Sequence, residues 1–258
     1  MGQKIIEEIP ALQKMKRYPK ELFYKGNLAL LKRPKVSIVG TRRPLEYTKQ
    51  FTYMLAQSLT KRGVCVVSGA AMGVDSIAHT GAGAGNTIAV VANGLDIRYP
   101  SIHKEMIQGI EEKGLVLSQF REGFRATHWS FVVRNELVVA LGDILIVTEA
   151  DLDSGSMRSV SYALQMGKQV YVLPHRLTES LGTQKLLDTH QAIAITDIER
   201  FTAGFTEVVQ DSAEKDDFFY FCQSFPTFDE AVKRFGDRVY EAEIEGVIAV
   251  HNGIVRLQ

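Results

Sequence analysis

The chain has 258 residues, enough for one large α/β domain with a small appendage, and its 45% hydrophobic and 23% charged content excludes wholesale disorder. No apolar run approaches the roughly 18–20 residues of a membrane helix, and Glu7, Glu8 and Pro10 interrupt any signal-like segment. Two cysteines, Cys65 and Cys222, argue for a reducing cytoplasm and against a disulfide framework, the six His form no metal-binding pattern, and neither metal nor cofactor is expected.

Net charge is zero but unevenly spread. Residues 1–35 carry nine Lys/Arg against three Glu, residues 206–258 carry five against eleven Asp/Glu, and the middle is balanced at sixteen each. A chain polarised in this way holds an anion at one end and repels it from the other.

Residues 1–34 read as a basic arm with one short helix. From residue 35 short apolar runs alternate with helical patterns: "KVSIVG" (35–40), "VCVVSG" (64–69), "TIAVVA" (87–92), "LVLSQF" (115–120), "DILIVT" (143–148) and "QVYVLP" (169–174). Continuous apolarity suits strands covered on both faces. Between them, residues 48–63, 101–114 and 131–142 carry helical spacing, the first ending at Gly63. This predicts a Rossmann-like, doubly wound, mostly parallel sheet over residues 35–205, with ligands outside the carboxyl ends of the strands. Residues 206–258 change grammar: "DDFFYFCQSF", "TFDEAVKRFG" and "RVYEAEIEG" read as short helices, followed by a hairpin turning at Asn252-Gly253. That layout is winged-helix-like, yet Glu241, Glu243 and Glu245 sit where a DNA reader carries cations. The small domain is therefore expected to contact a protein.

The loops after the strands carry the chemistry. After the first come Gly40, Thr41, Arg42 and Arg43. Ser68, Gly69, Ala70, Gly73 and Asp75 follow the second, and Ser154, Gly155 and Ser156 follow the fifth. Glycine beside small hydroxyl residues ahead of a helix exposes backbone amides to phosphate. Arg134 and Asn135 interrupt an apolar helix, so they need polar partners. Either Arg134 is structural, paired with Glu149 or Asp151, or it faces the crevice. Upstream, Arg125, His128, Trp129 and Phe131 mix cations with rings, which suits stacked bases on a backbone-tracking groove. Trp129 and Phe131 fit a core position equally well. Lys32, Arg33, Lys35 and Arg125 are candidates to extend the track.

Taken together, "VSIVGTRRP", "VVSGAAMGVDSIAH", "TIAVVANGLDIRYP", "FVVRNELVVALGD", "EADLDSGSM" and "SLGTQKLL" resemble the DNA-processing protein A (DprA/Smf) family over about residues 35–195. The resemblance implies a Rossmann-like domain that binds single-stranded DNA without known catalysis. It also implies a recombination mediator that helps load RecA during natural transformation and works as a homodimer. Gly40-Thr41-Arg42 match the family's G-[S/T]-R loop, Ser68, Gly69, Gly73 and Asp75 its SG-x-x-x-G-[I/V]-D loop, Phe131, Arg134 and Asn135 its F-x-x-R-N, and Ser154-Gly155-Ser156 its SGS. Three positions depart: Glu136 replaces the third polar residue of R-N-R and removes a cation, Gln184 stands for an Asn, and Pro174-His175 for Pro-Gly. The competing reading is a nucleotide-processing hydrolase of the phosphoribohydrolase type. Its PGGxGTxxE string is missing here, and Glu149 and Asp151 are the nearest carboxylates.

Overall fold

All six apolar runs form strands, because runs with no polar face are stable only where both faces are covered. The structure is a computed structural model and describes residues 2–205, 218, 221–222, 226–244, 248–251 and 253–257. Nine strands make one sheet: β1 (Gln3–Lys4), β2 (Phe23–Gly26), β3 (Lys35–Val39), β4 (Cys65–Ser68), β5 (Thr87–Val91), β6 (Leu115–Ser118), β7 (Ile144–Val147), β8 (Val170–Val172) and β9 (Ile193–Ala194). Their spatial order is β1-β2-β6-β5-β4-β3-β7-β8-β9. From β6 through β9 every pairing is parallel, while β2 runs antiparallel to β6 and to β1.

Residues 1–34 differ from the expected arm. They supply β1 and β2, and Leu12 and Leu30 enter the main core from two short 3-10 turns. Those strands lack an apolar signature because they lie at one side of the sheet, where β2 is held by backbone pairing with β6 and β1 by pairing with β2.

Helices cover both faces: α1 (Glu46–Lys61), α2 (Val74–Ala82), α3 (Lys104–Lys113), α4 (His128–Leu141), α5 (Gly155–Gln165), α6 (Leu181–Asp188) and α7 (Ile198–Ala203). Alternate strand residues feed opposite layers. Val36, Ile38 and Val66 pack against Leu55 and Leu59 of α1 and Val74 of α2. Val39, Val67 and Val90 pack against Leu137 and Leu141 of α4 and Val160 of α5. Each such leucine contributes about 1.5–3 kcal/mol by leaving water.

α4 is seated closely on β3. The Ser37 hydroxyl donates to the Val138 carbonyl at 2.7 Å. The buried Lys168 ammonium donates to the carbonyls of Val139 (2.9 Å), Ala140 (2.7 Å) and Gly142 as the helix ends.

Residues 210–258 form a second compact unit. Its described part holds helices Phe228–Phe235 and Arg238–Ile244 and the antiparallel pair Ile248–His251 and Ile254–Leu257. Thr227 and Glu230 cap the first helix reciprocally, and Phe218, Cys222, Ala231, Val239, Ile248 and Val255 make a small core. The first helix of the expected winged-helix layout falls mostly outside the described residues, as does Asn252. Gly253 takes the positive φ of +76° that a tight turn requires.

Candidate functional site

Chain order creates an opening at the carboxyl ends of β3 and β7. From β3 the strands β4, β5 and β6 are added on one side, and α4 then returns the chain to β7 on the other. The loops after β3 and β7 therefore part, as at the switch point of any doubly wound sheet. A crevice of about 390 Å³ lies between them.

Most of the expected residues line it. Gly40, Thr41 and Arg42 come from the first loop, Gly69 and Asp75 from the second, His128, Phe131, Arg134 and Asn135 from α4, and Ser154, Gly155 and Ser156 from the start of α5. Four do not. Arg43 is exposed outside the crevice, its amide donating to the Thr41 hydroxyl at 3.3 Å. Ser68 is buried and ties β4 to β3 through a 2.7 Å bond to the Ile38 carbonyl. Ala70, with a left-handed φ of +56°, lines a smaller adjoining cavity with Met72 and Tyr99. Gly73 serves the protein rather than the opening: its φ is +80°, and a methyl group there would lie 2.4 Å from the Thr41 carbonyl oxygen.

The two glycine loops interlock. Val74 donates its amide to the Thr41 carbonyl at 3.1 Å, and the Thr41 amide donates to the Glu149 carbonyl at 2.9 Å. The Glu149 carboxylate accepts from the Leu45 amide at 3.0 Å. Glu149 is thus a strut for the first loop, and the Thr41 amide is already committed.

Arg134 is 4% exposed and pairs with neither Glu149 nor Asp151. It donates to the carbonyls of Gly69 and Val90 (the latter at 2.9 Å) and to the Asn135 side chain at 3.0 Å. A methyl group on Gly69 would collide with this guanidinium, so that glycine makes room for the protein's own cation. Burial pushes the Asp75 carboxyl up from its ordinary value, and the Arg134 charge pulls it back down. Arg134 borders the crevice, but its donors largely serve the fold.

Arg42 is exposed, with its guanidinium carbon 5.3 Å from the Phe131 ring centroid; that of Arg134 is 5.8 Å away, and the Tyr99 ring 6.1 Å. Trp129 lies outside the crevice, 61% exposed and edge-on to Phe120. The candidate track residues Arg33 and Lys35 are at the amino ends of the strands, the opposite sheet edge. Arg33 donates to the Gly63 carbonyl and the Asn86 side chain, both at 2.9 Å, and Lys35 to the carbonyls of Leu31 (3.0 Å) and Arg33 (2.9 Å). Glu136, which removed a cation from the motif, accepts the Lys16 amide at 2.9 Å and holds the N-terminal segment to α4.

Sequence reading missed Arg158 and Ser159, which also line the crevice. The available signal was their spacing, three and four residues past Gly155 and so on the same helix face. Among the described residues no cluster of three His, Cys, Asp or Glu suits a metal, and no helix is long and apolar enough to cross a membrane.

Comparison with known proteins bears on this site. The family model for DNA recombination-mediator protein A matches residues 7–206. DNA processing protein DprA of Streptococcus pneumoniae is 38% identical over 166 residues, which are 64% of this chain and 58% of that protein. The chain spans about half the length of the curated relatives it matches. Among solved structures, DNA processing protein A from Helicobacter pylori, described for its single-stranded DNA binding mode, is similar with a TM-score of 0.77 and 42% identity. The match covers 78% of this chain and 94% of that one. The Streptococcus pneumoniae DprA structure is similar with a TM-score of 0.73 and 32% identity, covering 80% of this chain and 74% of its own.

Proposed function

This chain belongs to the DNA recombination-mediator protein A (DprA/Smf) family, and on that premise we propose that its crevice binds single-stranded DNA without regard to sequence. Arg42 clasps a phosphate with its planar fork, a geometry lysine does not offer. Arg43 points elsewhere and contributes only general charge. The amides at the start of α5 receive phosphate oxygen at a positive helix end. Phe131 supplies the stacking face, a base taking the place that the Arg42 guanidinium holds in the free protein. Sequence indifference follows, since every strand presents phosphates and π-faces alike.

In the cell this reading makes the protein a cytoplasmic guard of incoming single strands that helps load RecA during natural transformation, with no catalytic step of its own. A homodimer presents two crevices to one strand and gains avidity. The Helicobacter pylori relative described for its single-stranded DNA binding mode supports the ligand class.

One observation carries the reading: a solvent-facing arginine over an aromatic ring, at a switch-point crevice framed by glycine loops. Arg42→Ala is expected to weaken binding of single-stranded DNA about tenfold at moderate salt, the loss of one charge-assisted contact. The slope of log K against log salt should shrink by about 0.7. Tm should stay put, because the side chain is exposed. Fluorescence anisotropy at several salt concentrations checks this, and unchanged affinity and slope would remove the crevice as the binding site.

A further inference from the structure

The basic N-terminal segment has no part in the crevice. Residues 9–20 hold Lys14, Lys16, Arg17 and Lys20 and no Asp or Glu. All four cations are exposed, and none forms an ion pair among the described residues. A charge run on a mobile arm would simply be solvated, but this one is fixed. Leu12 and Met15 are buried, the Lys16 amide donates to the Glu136 carboxylate at 2.9 Å, and the Ile9 amide donates to the Tyr18 hydroxyl, also at 2.9 Å. The cations therefore face solvent from a backbone already in place, so little ordering entropy opposes an anion that binds there.

The segment runs along α4 toward the edge of the sheet where the crevice opens. Burial, helped by the Lys14 and Lys35 charges, pulls the Lys168 pKa down to about 8. Lys14 thus lies near the carboxyl end of α4, which Lys168 caps. Lys16 meets Glu136 in mid-helix, and beyond Lys20 the chain reaches Phe23, paired with Ser118 at the carboxyl end of β6. Contacts then lead on to the crevice. Glu21 holds Arg121 at 2.7 Å, Phe120 beside it meets the Trp129 ring edge-on with centroids 5.8 Å apart, and His128, next in the chain, lines the crevice. Trp129 is 61% exposed, an aromatic ring left in water between the crevice and the cations.

We propose that the Trp129 ring and the cations Lys14, Lys16, Arg17 and Lys20 form a second surface for single-stranded DNA, outside the crevice, which takes the strand as it leaves past His128 and carries it along α4. This rests on the reading that the crevice binds single-stranded DNA. Trp129 stacks an emerging base, and the cations neutralise the phosphates that follow it. A duplex offers the phosphates but keeps its bases stacked on one another, and an acidic protein leaves the ring unused. The ring therefore favours the single strand.

The test titrates oligodeoxythymidylates of about 4 and about 16 nucleotides against the full chain at rising salt, with the assembly state followed by light scattering. A variant with Lys14, Lys16, Arg17 and Lys20 all replaced by Gln should bind the short strand like the unaltered protein. It should bind the long strand at least about tenfold more weakly, with a salt slope smaller by about 2 to 3 and with assembly and Tm unchanged. Trp129→Ala should weaken the long strand alone by about fivefold or more, and Trp129→Phe should restore most of that loss. Arg42→Ala should weaken both lengths. Equal binding of the long strand by the fourfold variant and the unaltered protein, while Arg42→Ala loses affinity at both lengths, would overturn the second surface and leave the proposed function standing. Tighter binding of a duplex of the same length, lost in the fourfold variant, would overturn its assignment to a single strand. Long-strand loss in the fourfold and Trp129 variants with Arg42→Ala unchanged at both lengths would bring down the crevice instead.

Discussion

At residue 73 a missing methyl group keeps two loops in contact. Gly73 combines a φ of +80° with a Cβ position 2.4 Å from the Thr41 carbonyl and 2.6 Å from the Arg42 carbonyl carbon, both backbone atoms that cannot swing aside. Gly73→Ala should therefore cost about 1–3 kcal/mol in chemical denaturation and also weaken single-stranded DNA binding by displacing Arg42. Gly83→Ala is the control: its φ is +74° but nothing lies within 4 Å, so about 1–3 kcal/mol of backbone strain should be incurred with affinity intact. Equal affinity in the two variants would show that the loops are not coupled. The motif glycines were legible as close-approach positions, but what approaches them was not. Gly69 reads as a phosphate cradle in sequence and in the structure makes room for Arg134. Likewise "TRRP" offers two equivalent arginines, and only the bend after β3 sends Arg42 into the crevice and Arg43 away from it.

Element by element, burial explains what could be read in advance. β3 to β8 announced themselves because strands covered on both faces have no polar side, whereas β1, β2 and β9 lie toward the sheet edges and owe their place to backbone pairing. α2 shows a cost of such burial. His79 is 1% exposed and its Nδ1 lies 2.7 Å from the Thr87 hydroxyl, which itself donates to the Val66 carbonyl at 2.8 Å. The ring must therefore donate through Nδ1, leaving Nε2 bare and without a partner. Burial, assisted by the Arg134 and His103 charges, pulls the His79 pKa down from 6.5 to about 3. Between those values the unfolded chain binds a proton that the folded chain refuses, so stability present above pH 6.5 is lost as pH falls towards about 3. The slope is up to about 1.4 kcal/mol per pH unit. Urea denaturation at pH 7, 6 and 5 should show a steeper decline for the unaltered protein than for His79→Gln. Parallel declines would mean that the ring is solvated.

Over the whole molecule the charge is divided unevenly. Residues 206–258 hold five Lys/Arg against eleven Asp/Glu, a balance of −6 in a chain of net zero, so residues 1–205 alone carry +6. A unit of that sign is poorly suited to hold polyanionic DNA, because phosphate contacts supply most of non-specific affinity, and it fits a protein-contact role. Its effect on the rest of the chain is long-range and screened, with a Debye length of about 10 Å at 0.1 M salt. The chain ending at residue 205 is therefore expected to bind single-stranded DNA at least as tightly as the full chain. The gain should be largest at low salt and fade near 0.15 M, and it should appear mainly in the association rate, where net charge acts. Stopped-flow association with labelled oligonucleotides at two salt concentrations reads this directly. A truncated chain that folds but associates more slowly at low salt would mean that the acidic unit takes part in holding DNA, and its assignment to a protein partner would fall.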